Sequence, residues 1–176
     1  MTDKVWNKAF DLLIINEGSY QCLKNDRGNW TSGKIGIGEL KGTKYGISAM
    51  CYPNLDIANL TLDEAKAIYY RDYWLRCKCD KLPDCLSIAV FDFAVNSGIK
   101  RAIKTLQKVL GVAVDGIIGN QTIGASMSKP LKETLNKYQD ERLDFLISLE
   151  SFSRYGKGWT VRINRVRKVC EEICGY

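Results

Sequence analysis

The chain has 176 residues, of which 45% are hydrophobic and 26% are charged, a composition typical of one soluble globular domain. It contains no histidine, which excludes a Ser-His or Cys-His triad and leaves carboxylates, tyrosine, lysine or cysteine for chemistry near neutral pH. The net charge of +6 lies wholly beyond residue 98, because residues 1–98 carry 12 basic and 12 acidic side chains whereas residues 99–176 carry 14 and 8.

The first hundred residues predict three helices and one small β unit. Apolar residues at helical spacing favour a helix over residues 3–16, which places Glu17 at its end. The glycine-rich residues 26–48 predict a short β-hairpin or small sheet. Residues 61–74 open with a capping box and continue as a helix, and the apolar residues 82–98 predict a helix buried in the core.

The remaining residues predict only helices and their connections. The helices are expected over residues 99–111, over a short stretch after the tight loop 112–122, and over 130–149 and 158–173. No repeat, low-complexity tract or linker divides the chain. The sequence therefore predicts a mostly helical α+β fold, with about seven helices around one small β unit.

Seven cysteines are many for such a chain, and their number is odd. They stand at Cys22, Cys51, Cys77, Cys79, Cys85, Cys170 and Cys174. Their C-x-C and C-x3-C spacings differ from the C-x2-C pairs of zinc knuckles, so we expect no metal site. Reduced and mostly buried thiols are the prediction.

Two carboxylates, Glu17 and Asp26, lie on either side of the polar segment between the first helix and the β unit. Hydrolysis of a glycosidic bond needs a protonated acid at the leaving oxygen and an ionised carboxylate on the opposite face. Partial burial favours the protonated form of Glu17, and an open hairpin favours the ionised form of Asp26. A structural alternative stays open, in which Glu17 ends a helix and Asp26 caps a turn with Arg27 and Gly28.

Five blocks follow one another over about 150 residues. They are "EGSYQCLKND…GTKYGIS" (17–48), "YRDYW" (70–74), "FDFAVNSG" (91–98), "LQKVLGVAVDGIIGNQTI" (106–123) and "YGKGWTVRINR" (155–165). Together they resemble the phage-type muramidases of glycoside hydrolase family 108. The first block is similar to the catalytic segment of that family, the fourth to its peptidoglycan-binding region and the last to its C-terminal G-W-x-x-R signature.

The resemblance implies a lysozyme-like α+β fold with a cleft between a small β-hairpin lobe and a helical lobe. It implies that residues 1–98 are catalytic and that residues 99–176 bind peptidoglycan within the same globular unit. Glu17 matches the catalytic glutamate of the family, Asp26 its hairpin aspartate and Thr43 the threonine of its T-x-Y-G block.

The implied reaction is hydrolysis of the β-1,4 bond between N-acetylmuramic acid and N-acetylglucosamine in bacterial walls, as by a phage endolysin and without a cofactor. Glu17 would protonate the leaving oxygen. Asp26 and a hydroxyl group would direct water from the opposite face, with inversion. Two alternatives stay open: a lytic transglycosylase that uses Glu17 without water, and a non-catalytic peptidoglycan-binding protein.

The sequence departs from the family pattern at two places. Ser19 replaces the second glycine of E-G-G-Y, and the segment "NWTSGKIGIGEL" (29–40) separates the Asp26 side from Thr43 by about a dozen extra residues. Thr31 and Ser32 are therefore rival candidates for the hydroxyl group, and Glu39 is a rival second carboxylate.

Substrate contacts are predicted from aromatic and amide side chains. Tyr20, Tyr45, Tyr73 and Trp74 could stack on sugar rings, as could Tyr69 and Tyr70, and Asn96 could bind an N-acetyl group. Aromatic residues at helical spacing more often belong to the core, so we expect only one or two of them to bind sugar. Likewise, Asn96 could simply end its helix.

The C-terminal positive charge predicts a polyanionic partner. The last 23 residues contain Arg154, Lys157, Arg162, Arg165, Arg167 and Lys168. Peptidoglycan, or nearby anionic lipid, would attract such a face, although a solvated helix face is the simpler alternative. Nucleic-acid binding is not expected, because no recognition motif is present, and we expect a monomer.

The sequence shows no secretory or membrane-spanning segment. No apolar run approaches the ~20 residues that cross a bilayer, and residues 1–18 combine three acidic side chains with a helical period, unlike a signal peptide. We therefore expect synthesis in the cytoplasm of a bacterial host and release to the wall by another factor.

Overall fold

Seven α-helices make up most of the chain over the residues that this computed structural model describes, 3–15 and 17–175. They are α1 (Asp3–Ile14), α2 (Leu62–Tyr69), α3 (Asp84–Ser97), α4 (Ile99–Leu110), α5 (Asn120–Ser128), α6 (Leu131–Ile147) and α7 (Phe152–Cys174). A π-helical turn, Tyr70–Trp74, continues α2, and short 3₁₀ turns cover Arg27–Asn29 and Cys79–Lys81. The helix count agrees with the prediction from the sequence.

Helix ends follow local chemistry. Thr61 accepts a hydrogen bond from the backbone N–H of Glu64 at 3.2 Å, and the Glu64 carboxylate accepts one from the N–H of Thr61 at 2.8 Å. This is the predicted capping box. Gly111 ends α4 in the left-handed conformation, with φ of 65°. The predicted end of the first helix, at residue 16, lies outside the described residues.

The predicted hairpin is present but short. Strands β1 (Thr43–Lys44) and β2 (Ile47–Ser48) pair antiparallel, and Tyr45 and Gly46 join them. Both turn residues have positive φ, 52° and 76°, as a two-residue primed turn requires.

The apolar alternation at Ile35 and Ile37 does not mark a strand. Their side chains are 58% and 56% exposed, in a loop of turns and bends. The predicted β unit is thus confined to residues 43–48, together with isolated bridges at Gln21–Thr43 and Trp30–Leu40.

The chain forms two compact units. One runs from Phe10 to Tyr70 and contains the hairpin and α2. The other combines the residues up to Ala9 with those from Arg71 onward, and it contains α3 to α7. The division into a catalytic region (1–98) and a peptidoglycan-binding region (99–176) concerns function rather than compactness, and it stays a prediction.

Helix α3 is the centre of the helical unit, where it packs against α4, α6 and α7. All ten residues from Cys85 to Ala94 are buried, because the helix is apolar almost all round. The charged side chain among these ten is Asp92, whose carboxylate lies 2.7 Å from Nη2 of Arg142 on α6 and 2.8 Å from Nη2 of Arg162 on α7. This ion cluster joins three helices, and it explains why Arg162 is not a surface charge.

One pair of cysteines corrects the sequence-based prediction. Cys85 and Cys174 form a disulfide that joins the start of α3 to the end of α7, so the prediction of reduced thiols is wrong for these two residues. Cys170, one helical turn before Cys174, donates a hydrogen bond to the Cys85 carbonyl at 3.3 Å, and burial raises the pKa of its thiol to about 12. Among the described residues, no three cysteine or carboxylate side chains converge as metal ligands would.

None of the helices in the described ranges is long and apolar enough to cross a membrane.

Candidate active site

The carboxylate of Glu17 lies against the hairpin turn. Glu17 is half-buried, and its backbone N–H donates to the carbonyl of Ile14 at the end of α1. A Cβ atom built on Gly46 would lie only 2.5 Å from Oε2 of Glu17 and 2.5 Å from the hydroxyl oxygen of Tyr69. Only glycine therefore fits at the second position of the turn.

The segment that carries Glu17 runs alongside β1. The N–H of Tyr45 donates to the carbonyl of Gly18 at 3.2 Å, and Gln21 and Thr43 exchange backbone hydrogen bonds of 2.9 and 2.8 Å. The hydroxyl of the buried Tyr69 donates to the Tyr45 carbonyl at 2.9 Å. These bonds hold Tyr45 in a left-handed conformation that a bulky residue rarely adopts, which costs ~1–3 kcal/mol. Such strain is typical of functional sites.

Asp26 occupies the cap of the short 3₁₀ turn. Its Oδ1 accepts from the N–H of Gly28 at 2.9 Å, and its Oδ2 accepts from the side-chain amide of Gln21 at 3.2 Å. The turn-capping alternative is therefore an accurate description of its local structure. The two bonds also fix the orientation of the carboxylate while leaving each oxygen a further lone pair.

A buried asparagine joins Thr43 to the Asp26 side. The Thr43 hydroxyl donates to Oδ1 of Asn29 at 2.7 Å, and Gln21 Nε2 donates to the same oxygen at 3.1 Å. In return, Asn29 Nδ2 donates to Gln21 Oε1 at 2.8 Å and to the Leu23 carbonyl at 3.0 Å. Thr43, Asn29, Gln21 and Asp26 thus form one hydrogen-bond network.

Sequence reasoning missed Asn29 and Gln21. Asn29 was placed at the start of the additional 29–40 segment, yet it is fully buried, and its carbonyl also accepts from the N–H groups of Lys41 and Gly42. Its partners are 8 and 14 residues away, so no local pattern marks it. A D-x-G turn signal identifies the turn, but not the residue that follows it.

The rival candidates Thr31, Ser32 and Glu39 make their contacts within or next to the 29–40 segment. The Thr31 hydroxyl accepts from the N–H of Glu39 at 2.9 Å, and the Ser32 hydroxyl donates to the Ile37 carbonyl at 2.7 Å. The Glu39 carboxylate is 73% exposed and forms an ion pair with Lys41 at 3.0 Å. These contacts close an exposed loop between Thr31 and Glu39.

The unit that contains Glu17 also contains four of the predicted aromatic contacts: Tyr20, Tyr45, Tyr69 and Tyr70. Tyr20 is 40% exposed, and its ring borders Gly42, where a built Cβ would lie 2.7 Å from a ring carbon. A hydrogen bond with Cys22 is the main cause that raises the pKa of Tyr20. Tyr45 is half-buried, with Lys44 Nζ 5.5 Å from its ring centre.

The other predicted contacts belong to the helical unit. Trp74 is only 1% exposed and packs edge-to-face with Trp6 and Phe91, at centroid distances of 5.2 and 5.6 Å. Trp74 thus packs in the core of the helical unit, the alternative that the sequence left open for aromatic residues at helical spacing. Tyr73 is half-buried in the π-helical turn. Asn96 is half-buried near the end of α3 and accepts from the Ser97 hydroxyl at 3.1 Å.

Basic residues of α7 have different environments. Arg162 belongs to the buried cluster, and Arg167 pairs with Asp140 at 2.8 Å. Arg154 lies over the ring of Tyr155, 5.3 Å from its centre. Lys157 and Lys168 are exposed.

Comparison with known proteins gives two family matches and similarity to solved structures. A family model described as Glycosyl hydrolase 108 matches residues 10–98, and one described as a predicted peptidoglycan domain matches residues 101–164. The chain is similar to the solved structure of SagA of Brucella abortus, with a TM-score of 0.79 and 33% identity over 96% of this chain and 95% of that chain. No curated protein matches. These similarities confirm the predicted mostly helical, lysozyme-like α+β fold.

Proposed function

The chain belongs to the glycosyl hydrolase 108 family, and on that premise we propose that it cleaves the β-1,4 bond between N-acetylmuramic acid and N-acetylglucosamine, with Glu17 as general acid. Family membership, together with the peptidoglycan domain, makes the chain a glycoside hydrolase that acts on peptidoglycan. The bond cleaved and the roles of individual residues are the proposal.

The observation that carries the proposal is the close approach of Gly46 to Glu17. A general acid must be held within hydrogen-bond reach of the leaving oxygen, and a turn without a side chain lets the backbone approach the carboxylate. The strained Tyr45 beside it supports the same role, because backbone strain persists where a site requires a particular geometry.

The opposite side of the reaction needs a directed water molecule, and the hydrogen-bond network suits it. Thr43 donates its only hydroxyl proton to Asn29, so its oxygen is left to accept a hydrogen bond from water. Asp26, held by Gly28 and Gln21, would accept the proton that the water loses on attack. Such a water, attacking from the face opposite to Glu17, would invert the anomeric centre.

The setting that we propose is that of a phage endolysin. It would be made in the host cytoplasm, reach the wall through another factor, and act as a monomer without nucleic acid. The similarity of its blocks to phage-type muramidases supports this setting. The exposed Lys157 and Lys168 would add attraction to anionic wall or lipid, so retention on isolated walls should weaken as salt is raised.

Replacing Glu17 with glutamine tests the proposal. The amide cannot donate a proton to the leaving oxygen, so lysis of isolated walls should fall by at least ~10²-fold while the melting temperature stays nearly unchanged. Glu39→Gln is the matched control, because that carboxylate is exposed, and it should be nearly silent. Residual activity of Glu17→Gln above a tenth of wild type would remove Glu17 from the mechanism.

Mass spectrometry of the digested wall separates the rival reactions. Reducing muramic ends would support hydrolysis. Ends that are lighter by one water would show a lytic transglycosylase, and an intact wall would show a protein that only binds. Either of these last two results would overturn the proposal.

A further inference from the structure

A groove of about 800 Å³ runs between α4 and α6 in the helical unit. Its charged lining consists of Lys100, Arg101, Lys104 and Lys108 on α4, with Glu141 and Asp144 on α6. Its volume falls within the range of ligand sites in proteins. Most of its lining falls within the part of the chain that matches the peptidoglycan domain.

A neighbouring turn holds two of the lysines with which α4 lines the groove, Lys100 and Lys104. A Cβ atom built on Gly116 would lie 3.3 Å from Cγ of Lys100 and 3.5 Å from Cε of Lys104, so the turn packs against both side chains.

A buried glutamine in turn fixes that turn. Gln107 is 1% exposed; its amide donates to the Asp115 carboxylate at 2.7 Å, and its oxygen accepts from the N–H of Gly116 at 2.8 Å. The hydrogen bond from Gln107 is the main cause that lowers the pKa of Asp115. The turn is therefore a rigid support for Lys100 and Lys104.

The rest of the groove is also ordered. The guanidinium of Arg101 lies 3.9 Å from the ring centre of Phe145, and stacking of this kind sets the direction of the cation. Lys108 forms an ion pair with Glu141 at 2.7 Å. The groove thus presents cations along α4, and Asp144 contributes a carboxylate from the α6 side.

We propose that this groove binds the stem peptide of peptidoglycan. A stem peptide carries several carboxylates and, where it contains a diamino acid, one free amine. The carboxylates would lie against Lys100, Arg101 and Lys104, and the amine against Asp144, so the charges are complementary. The inference rests on the proposed function, because it assigns a second contact with the same polymer.

Isothermal titration calorimetry with one defined peptide tests the groove. The probe is N-acetyl-L-alanyl-γ-D-glutamyl-meso-diaminopimelic acid, added to the full chain. Lys100→Gln with Lys104→Gln should raise Kd roughly 5- to 30-fold, the size expected for the loss of two partly exposed charge contacts. Lys4→Gln with Lys8→Gln is the control, because it removes two exposed lysines at the same helical spacing, outside the groove. Its Kd should stay within twofold of wild type.

The amine gives a second, independent readout. Acetylating the diaminopimelate amine should weaken binding to the wild type severalfold but leave binding to Asp144→Asn unchanged, since that variant has already lost the partner. An equal loss in both proteins would overturn the placement of the amine. If the groove variant (Lys100→Gln with Lys104→Gln) and the control (Lys4→Gln with Lys8→Gln) lose the same affinity for the peptide, the attraction is non-specific and the proposal is overturned. Inorganic phosphate that displaces the peptide at equimolar concentration would overturn it as well.

Failure of the groove and failure of the proposed hydrolysis give different results. Glu17→Gln should bind the peptide like the wild type, whether or not the wild type releases reducing ends. A chain that binds the peptide but leaves the wall intact retains the groove and loses the proposed reaction. A chain that cleaves walls without binding the peptide retains the reaction and loses the groove.

Discussion

Replacing Gly46 with alanine tests whether the position of the Glu17 carboxylate controls catalysis. The added Cβ would lie 2.5 Å from Oε2 of Glu17, whereas ordinary van der Waals contact begins at 3.4 Å. The carboxylate, or the turn that faces it, must therefore shift by roughly 0.9 Å, and a displacement of ~1 Å at a reacting group can cost ~10²-fold in rate. We expect lysis to fall by about that factor.

A second glycine separates this shift from backbone strain. Gly36 has φ of 78°, nearly the 76° of Gly46, but a Cβ there would meet nothing within 4 Å. Both alanine variants should lose ~1–2 kcal/mol from the left-handed conformation, which lowers the melting temperature of a chain of this size by a few degrees. Only Gly46→Ala should lose lysis.

The assays are turbidity loss of isolated walls and thermal unfolding, measured for both variants. If Gly46→Ala keeps more than a fifth of wild-type lysis while melting like Gly36→Ala, the position of Glu17 does not limit the reaction. If adding Tyr69→Phe to Gly46→Ala restores lysis, the clash acts through the tyrosine hydroxyl instead. Either result would refute the reasoning.

Three further substitutions test the network, the ion cluster and the disulfide. Asn29→Ala removes the acceptor of the Thr43 hydroxyl, so lysis should fall roughly tenfold. Adding Thr43→Val should lower lysis further, because it also removes the oxygen proposed to hold the water, but by less than Thr43→Val lowers it alone, since the two changes share the Thr43–Asn29 bond. A double variant as active as Asn29→Ala would contradict the role of Thr43. Asp92→Asn leaves buried guanidiniums without their counter-charge, and urea unfolding should show a loss of ~3–5 kcal/mol at pH 7. Burial, the largest influence, acts to raise the pKa of Asp92, but the neighbouring arginines outweigh it and the net pKa is lowered. The ionised carboxylate therefore stabilises the fold above its unfolded pKa of ~3.9, and this contribution is lost as pH falls through the folded pKa. If wild type and Asp92→Asn differ in unfolding free energy by the same amount at pH 7 and pH 3, the ionised carboxylate is not the source of the stability. Cys174→Ser opens a disulfide that spans 89 positions, which should lower the free energy of unfolding by ~2–5 kcal/mol. Cys51→Ser replaces an exposed free cysteine and should leave it unchanged. Equal unfolding free energies for the two variants would speak against a structural disulfide.

Helices were predictable because their signals are local. The capping box of Thr61 and Glu64, the apolar run of α3 and the glycine after α4 each lie within one element, and each is found where the pattern placed it. The resemblance of the first block assigns Glu17 as the general acid, which stays a prediction, and the structure places Gly46 of the same block against its carboxylate.

Contacts between distant positions were not predictable. Asn29 bonds with Gln21 and Thr43, and Asp92 with Arg142 and Arg162, across separations that no periodicity encodes. The Cys85–Cys174 disulfide was not predicted for the same reason, because the spacing of cysteines in a sequence does not show which of them pair.

The hairpin turn shows a different limit. Tyr45 adopts a conformation that its residue type disfavours, and bonds to Gly18 and Tyr69 hold it there. Local propensity gives the wrong answer at such a position, since tertiary contacts decide it.

The ion cluster of Asp92 has a consequence for the synthesis of the chain. Translation makes α3 before α6 and α7, so the buried residues Cys85–Ala94 leave the ribosome before the helices that cover them. The ion cluster is complete only when Arg142 on α6 and Arg162, 70 positions after Asp92, have both been added. Until then the nascent helical unit exposes an apolar helix that carries an acid without its full set of partners, and collapse with other chains competes with folding. Slow codons between α3 and α7 would lengthen that interval, and a polypeptide interrupted before α7 would be a natural client for chaperones and proteases.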